Sequence, residues 1–323
     1  MSFLLPIISL IGGGVLAVVA ANWLVKGAAA IAKKLNISDL VVGLTIVAFG
    51  TSAPEFSIGV IAAAKGNTAI AIGNVLGSNI GNILLILGLS AVVAPLAIHK
   101  NTQWKEIPLC LLAGLAVAIT ANDILLNGSP DNTISRSDGC LLLLFFSIFI
   151  YYTFQIARQA DPTEEITATV QPLPLFQSVV YILIGLVGLF FGGDFLVNGA
   201  VAIAQHLGIS ETIIGLTIVA IGTSLPELAT SVVAAMQKKA DIVIGNIIGS
   251  NLFNTFMVLG SSAVVAPLPM NKELNFDLLV NLVATLLLFI FTYFSAQSTI
   301  KREHGVVMLL LYSIYLLYLV LQV

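Results

Sequence analysis

Apolar residues fall into ten long stretches separated by short polar connections, at approximately 4–26, 39–64, 70–96, 106–121, 139–157, 176–198, 211–236, 242–268, 276–295 and 305–322. Each approaches the roughly 20 apolar residues that one helix needs to cross a bilayer core. The pattern predicts an all-α polytopic membrane protein of ten transmembrane helices. The first stretch lacks a basic leader and is longer than a signal-peptide core, so it is expected to be a retained helix.

The pattern also occurs twice. Residues 43–96 and 215–268 align at a constant offset of 172 without a gap, and 31 of the 54 positions are identical. Upstream, Asn22-Trp-Leu-Val-Lys-Gly-Ala realigns with Asp194-Phe-Leu-Val-Asn-Gly-Ala at the same offset. Ten helices therefore divide into 1–157 and 176–323, joined by a polar linker at 158–175. Five spans per unit start and finish on opposite sides of the membrane. The second copy must run inverted, about a pseudo-two-fold axis in the membrane plane.

Charge refines the topology. Alternating the connections between two sides places Lys26, Lys33, Lys34, Lys100, Lys105, Arg158, Lys238, Lys239, Lys301 and Arg302 on one side. The other receives only Lys65, Arg136 and Lys272. Ten against three predicts a cytoplasmic lysine-rich side, a cytoplasmic linker and both termini outside. An inner (plasma) membrane location follows. Composition agrees: 58 % of residues are hydrophobic, 9 % are charged and the mean hydropathy is +1.05, against roughly 25 % charged residues in soluble domains. The lipid bilayer is the expected surrounding. No basic tract suits nucleic acid, no protein partner is implied, and Cys110 and Cys140 stand at no motif spacing.

The candidate chemistry lies in two doubled motifs, Gly-Thr-Ser-x-Pro-Glu and Gly-Ser-Asn-x-x-Asn. Glu55 and Glu227 fall near the middle of helices 2 and 7, where a carboxylate is costly and by default marks function. Pro54 and Pro226 lack an N–H and crowd the carbonyls of Gly50 and Gly222, so each helix must kink or open there. Freed backbone oxygens at that depth need a protein or aqueous lining. The carbonyls of Ala48 and Ala220 become candidate ligands, with the hydroxyls of Thr51, Ser52, Thr223 and Ser224 beside them. On helices 3 and 8, Ser78 and Asn82 share a face, as do Ser250 and Asn254. Asn82 and Asn254 are candidate ligands, whereas Asn74, Asn79, Asn246 and Asn251 are expected to cap helices or bond neighbours. Gly73, Gly77, Gly245 and Gly249 form small-residue surfaces for close packing. Asp194 and Lys26 fall toward predicted helix ends, where snorkelling is the expected role.

These motifs resemble the two alpha-repeats of the cation/calcium antiporters, in particular the prokaryotic sodium/calcium exchangers, over essentially the whole chain. The resemblance implies a Ca²⁺/Na⁺ antiporter working by alternating access, with transported ions and no cofactor. It implies that Glu55 and Glu227 serve both ions, and that Thr51 and Thr223 join calcium coordination. Ser52, Ser78, Ser224, Ser250 and the carbonyls of Ala48 and Ala220 then line flanking sodium sites, with Asn82 and Asn254 bordering the middle. Some archaeal members and the potassium-dependent exchangers carry Asp where Asn254 stands; Asn here disfavours potassium co-transport. A proton-coupled antiporter of Ca²⁺ or another divalent cation is the alternative. An enzyme is not expected: His99, His206 and His304 lie near helix ends, and no His-Glu-x-x-His or serine–histidine pairing occurs. A channel could line the same midplane, but inverted repeats with broken helices favour alternating access.

Overall fold

The computed structural model describes residues 4–128, 131–159, 173–208, 220–295 and 298–321. The long helices are α1 (Leu4–Leu35), α2a (Asp39–Thr51), α2b (Ala53–Ala64), α3 (Thr68–Val93), α4 (Lys100–Thr120), α5 (Arg136–Arg158), α6 (Leu175–His206), α8 (Ala240–Val265), α9 (Leu274–Phe294) and α10 (Arg302–Leu321). Helix α7 is described as α7a (Ala220–Thr223) and α7b (Leu225–Met236); its expected start at 211 lies outside the described residues. Most of the 158–175 linker lies outside them too.

Ten spans in two inverted sets of five make up the fold, and the pseudo-symmetry can be checked atom by atom. A Cβ on Gly13 would meet Leu196 N and Gly192 O, while one on Gly185 would meet Leu24 N and Ala20 O. Shifting every number by 172 converts one contact into the other. Gly27 against Ser178 O and Gly199 against Pro6 O form a second such pair. Helices α1 and α6 thus lie antiparallel and in contact along their length, with backbones brought together by small residues. Two antiparallel ribbons join the repeats at their ends. β1 (Leu96–Ala97) pairs with β4 (Thr299–Ile300), and β2 (Thr133–Ile134) pairs with β3 (Leu268–Pro269).

Two expectations require correction. Helices α1 and α6 each run 32 residues, well beyond the predicted ends at 26 and 198. At 1.5 Å per residue each spans roughly 48 Å, more than a hydrocarbon core of about 30 Å. Apolar length measured only the lipid crossing; the alanine-rich continuation Gly27–Ala32 is helix-forming and buried. Consequently Lys26 and Asp194 do not sit at helix ends. Asp194 lies within α6, exposed, twelve residues before its last residue.

The remaining helices wrap α2, α3, α7 and α8. Almost every residue of α8 is buried, and α3 is nearly as enclosed. Apolar residues on α5, α6, α9 and α10 face outward, among them Leu144, Phe190, Leu279 and Leu310. That exposure matches a lipid solvent.

Candidate ion-binding site

Each proline breaks its helix at the same place. Helix α2 stops at Thr51, passes through Ser52 (φ −85°, ψ 7°) and restarts at Ala53, bent by 48°. Helix α7 repeats this at Ser224 (φ −87°, ψ 9°). Pro54 and Pro226 occupy the first turn of the new segment, where a missing N–H costs nothing. Glu55 and Glu227 follow in that same turn, at the positive end of the helix dipole. The carbonyl of Ala48 accepts from Ser52 N at 3.0 Å and, at a longer 3.4 Å, from Thr51 Oγ1. Ala220 opens α7a in the equivalent position.

Both carboxylates are buried: Glu55 is 0 % and Glu227 1 % exposed. They interact electrostatically across the repeat boundary. Ser78 and Ser224 stand beside Glu55, yet neither Glu55 oxygen has a hydrogen bond of ordinary geometry. Ser224 instead donates toward Ser78 Oγ at 3.4 Å. Glu227 accepts from Ser52 Oγ at 2.9 Å, with Thr51 and Ser250 nearby. Its Oε2 has no hydrogen-bond partner among the described residues.

The wall opposite the breaks comes from α3 and α8. Both helices widen there to five-residue turns, over Gly81–Leu87 in α3 and Phe253–Val258 in α8. The wide turns begin where the second motif ends, placing Asn82 and Asn254 in their first residues. Such turns recur at functional sites because they redirect side chains and loosen backbone carbonyls. Asn82 Nδ2 donates to Asn251 Oδ1 at 2.9 Å, and Asn251 Nδ2 donates to Asn79 O at 3.3 Å. Asn79 Nδ2 donates to Thr255 Oγ1 at 2.9 Å.

Unpartnered buried atoms are therefore concentrated. Among the described residues they include both oxygens of Glu55, Glu227 Oε2, Asn82 Oδ1, Ser250 Oγ and both polar atoms of Asn254. Buried polar atoms in a folded protein are almost always paired, and a lone buried carboxylate is costly. Oxygen atoms left unpaired around two carboxylates fit a hard cation, which prefers oxygen ligands and supplies the missing positive charge. The described residues contain no His/Cys/Asp/Glu group of three that could hold a metal ion; these motifs rely on hydroxyl, amide and backbone oxygen around only two acids.

The expected bonding role of Asn74 and Asn246 takes a definite form. Asn74 Nδ2 donates to Glu55 O at 3.1 Å. Asn246 Nδ2 donates to Ser231 Oγ at 3.0 Å and approaches Glu227 O at 3.5 Å. Its Oδ1 accepts from Thr51 Oγ1 at 3.1 Å. One fully buried amide thus ties the α2 break, the α7 break and α8 together. Ser231 was not singled out from the sequence; the signal was its divergence from Gly59 at the same repeat position. Glu106, buried and hydrogen-bonded to Tyr152, is a third enclosed acid and lies outside both doubled motifs. Asn246→Ala should destabilise the protein by about 1–3 kcal/mol, the usual cost of stranding buried polar groups. The thermal midpoint of purified protein in detergent measures it, and an unchanged midpoint would contradict the proposed tie.

Comparison with known proteins identifies the family. The sequence matches the sodium/calcium exchanger protein family over residues 5–155 and again over 177–321, one match per repeat. The inner membrane protein YrbG of Escherichia coli (strain K12) is 37 % identical, with 86 % of this chain and 87 % of YrbG covered. The sodium/calcium exchanger MaX1 of Methanosarcina acetivorans is 30 % identical, covering 95 % and 96 %. Among solved structures, the sodium-calcium exchanger NCX_Mj, soaked without Na⁺ and Ca²⁺, superposes with a TM-score of 0.83 at 34 % identity, over 98 % of this chain and 100 % of that one. The chain belongs to the sodium/calcium exchanger protein family.

Proposed function

We propose that the protein exchanges Ca²⁺ for Na⁺ across the inner membrane by alternating access. The observation that carries this reading is the cluster of unpaired buried oxygens around Glu55 and Glu227, set at breaks in two inverted helices. Two carboxylates supply −2, which one Ca²⁺ neutralises. Thr51, Thr223, Ser52, Ser78, Ser224, Ser250, Asn82, Asn254 and the carbonyls of Ala48 and Ala220 offer further oxygens. Calcium accepts six to eight oxygens in flexible geometry at about 2.3–2.6 Å. Sodium also prefers oxygen and competes for the same negative cluster, binding beside the hydroxyls. Mutually exclusive occupancy, with an empty charged site that crosses reluctantly, yields exchange in place of leak.

Access alternates when the α1–α6 pair moves as one body over the α2–α3–α7–α8 core. Close packing between α1 and α6 supports movement as a unit. On this reading the lysine-rich connections face the cytoplasm, both termini face outward, residues 1–157 and 176–323 are the two repeats, and 158–175 is the cytoplasmic linker.

Reconstituted vesicles loaded with Na⁺ should accumulate ⁴⁵Ca²⁺ when the Na⁺ gradient points outward. Vesicles carrying only a pH gradient should not. Uptake driven by the pH gradient alone would replace sodium by protons as counter-ion while leaving the site intact. No uptake under either gradient would reject calcium exchange.

A further inference from the structure

Helix α1 and helix α6 are equivalent by sequence, but the core does not treat them equally. Along α1, Ala20, Ala21, Leu24, Val25, Ala28 and Ala29 are buried, and the helix packs along α7b. Of the corresponding α6 residues, Gly192 and Gly193 are buried, but Leu196, Val197, Ala200 and Val201 are only half-buried. Helix α6 makes no comparable packing against α2b, the repeat equivalent of α7b. The pair sits off-centre, closed over the lysine-rich end of the core.

One hydrogen bond marks that closure. Gln237 Nε2 donates to Asn22 Oδ1 at 2.8 Å. The glycine contacts place the α1–α6 two-fold centre between residues 17 and 18 of α1, so Asn22 stands only roughly 7 Å from the middle of the pair. Gln237 caps the end of α7b, thirteen residues and roughly 20 Å beyond the break at Ser224. These two can meet only because the pair is displaced toward the lysine-rich side.

Inverted symmetry defines the opposite displacement. There, the repeat partners of Asn22 and Gln237 meet: Asp194 on α6 and Lys65 at the end of α2b. Lys65 is built like Gln237. Each is the cap residue of its helix, followed by a residue with positive φ, Gly66 (80°) or Lys238 (58°). The backbone bonds match as well, with Asn67 N bonding to Ala62 O and Lys239 N to Ala234 O, both at 2.8–2.9 Å. In the present structure Asp194 and Lys65 are both exposed, and neither has an ion-pair or hydrogen-bond partner among the described residues. A carboxylate within a membrane helix calls for a partner.

We propose that Lys65 and Asp194 form an ion pair that latches the opposite, inward-open state, replacing the neutral Asn22–Gln237 bond of the state seen here. The proposal rests on the alternating-access reading but not on which ions are exchanged. The two latches differ in charge, so this chain biases its two closed ends unequally.

Paired cysteines test the approach in the full chain with Cys110→Ala and Cys140→Ala. The variant Lys65→Cys/Asp194→Cys should form a disulfide under mild oxidation, detected by peptide mass, and halt transport until reduced. Asn22→Cys/Gln237→Cys should do likewise and trap the other state. Linking of 22 to 237, with none of 65 to 194 under any ion condition, would overturn the proposal. Charge is tested separately in the Asn22→Cys/Gln237→Cys background. Lys65→Glu should raise the 22–237 yield by about two- to fivefold, as expected for a partly exposed ion pair, and Asp194→Lys in the same chain should reverse the rise. An unmoved yield would remove the electrostatic role. Both readouts follow shape, so they retain meaning even if calcium exchange itself fails.

Discussion

Replacing Glu55 or Glu227 by glutamine should abolish coupled calcium transport and, at the same time, stabilise the ion-free protein. The first effect follows from electrostatics in a buried site. Removing one of two carboxylates leaves a divalent ion half-neutralised in surroundings that cannot solvate it. Breaking a buried charge pairing costs about 3–5 kcal/mol, or roughly 10²–10⁴ in affinity. The second effect distinguishes a transport site from helix-to-helix glue. Among the described residues both Glu55 oxygens lack partners, so the ion-free protein holds a desolvated, unpaired acid with little return. Glutamine fills the same space without an ionisable group. The thermal midpoint without Ca²⁺ should rise, and the further increase on adding Ca²⁺ should disappear, because ligand stabilisation scales with binding. Glu227 already accepts from Ser52, so the ion-free gain should be larger for Glu55→Gln. A fall in ion-free stability for both variants would identify the acids as structural and reject the site.

The same residues show why the site was legible in the sequence. A carboxylate after a proline in an apolar run can be read directly, and its repetition at an offset of 172 excluded accident. The bend at Ser52 and the burial of Glu55, Asn82 and Asn254 then follow from local chemistry. Other features depend on three-dimensional placement. The reach of Asn246 to Thr51 joins residues 195 apart in the chain, and no spacing within one motif announces it. The wide turns of α3 and α8 leave no residue signature, since Gly81 begins one and Phe253 the other. The Asn22–Gln237 bond is less legible still. On the proposed alternation it belongs to one position of the α1–α6 pair, and a sequence encodes every position of that pair at once.

Whether α1 and α6 act as one body can be tested at a single glycine. A Cβ on Gly13 would lie 2.5 Å from Leu196 N and 2.7 Å from Gly192 O. Both are backbone atoms, which cannot rotate aside as a side chain would. Gly13→Leu must therefore push the helices apart and forfeit dispersion contacts along the whole interface. In lipid no hydrophobic driving force returns them, since the tails are as apolar as the residues exposed. The cost should reach about 3 kcal/mol or more, the upper part of the range for overpacking. The expected result is loss of the monodisperse peak in detergent size exclusion, together with loss of transport. Gly185→Leu should repeat it, because its Cβ would lie 2.8 Å from Leu24 N by the same symmetry. Gly12→Leu is the control: a Cβ there meets nothing within 4 Å, so protein and transport should persist. If Gly13→Leu instead folds and exchanges ions at the original rate, the α1–α6 contact does not hold the pair together. The two helices would then be free to move separately, and a displacement shared by both could not be what opens the site to one side and then the other.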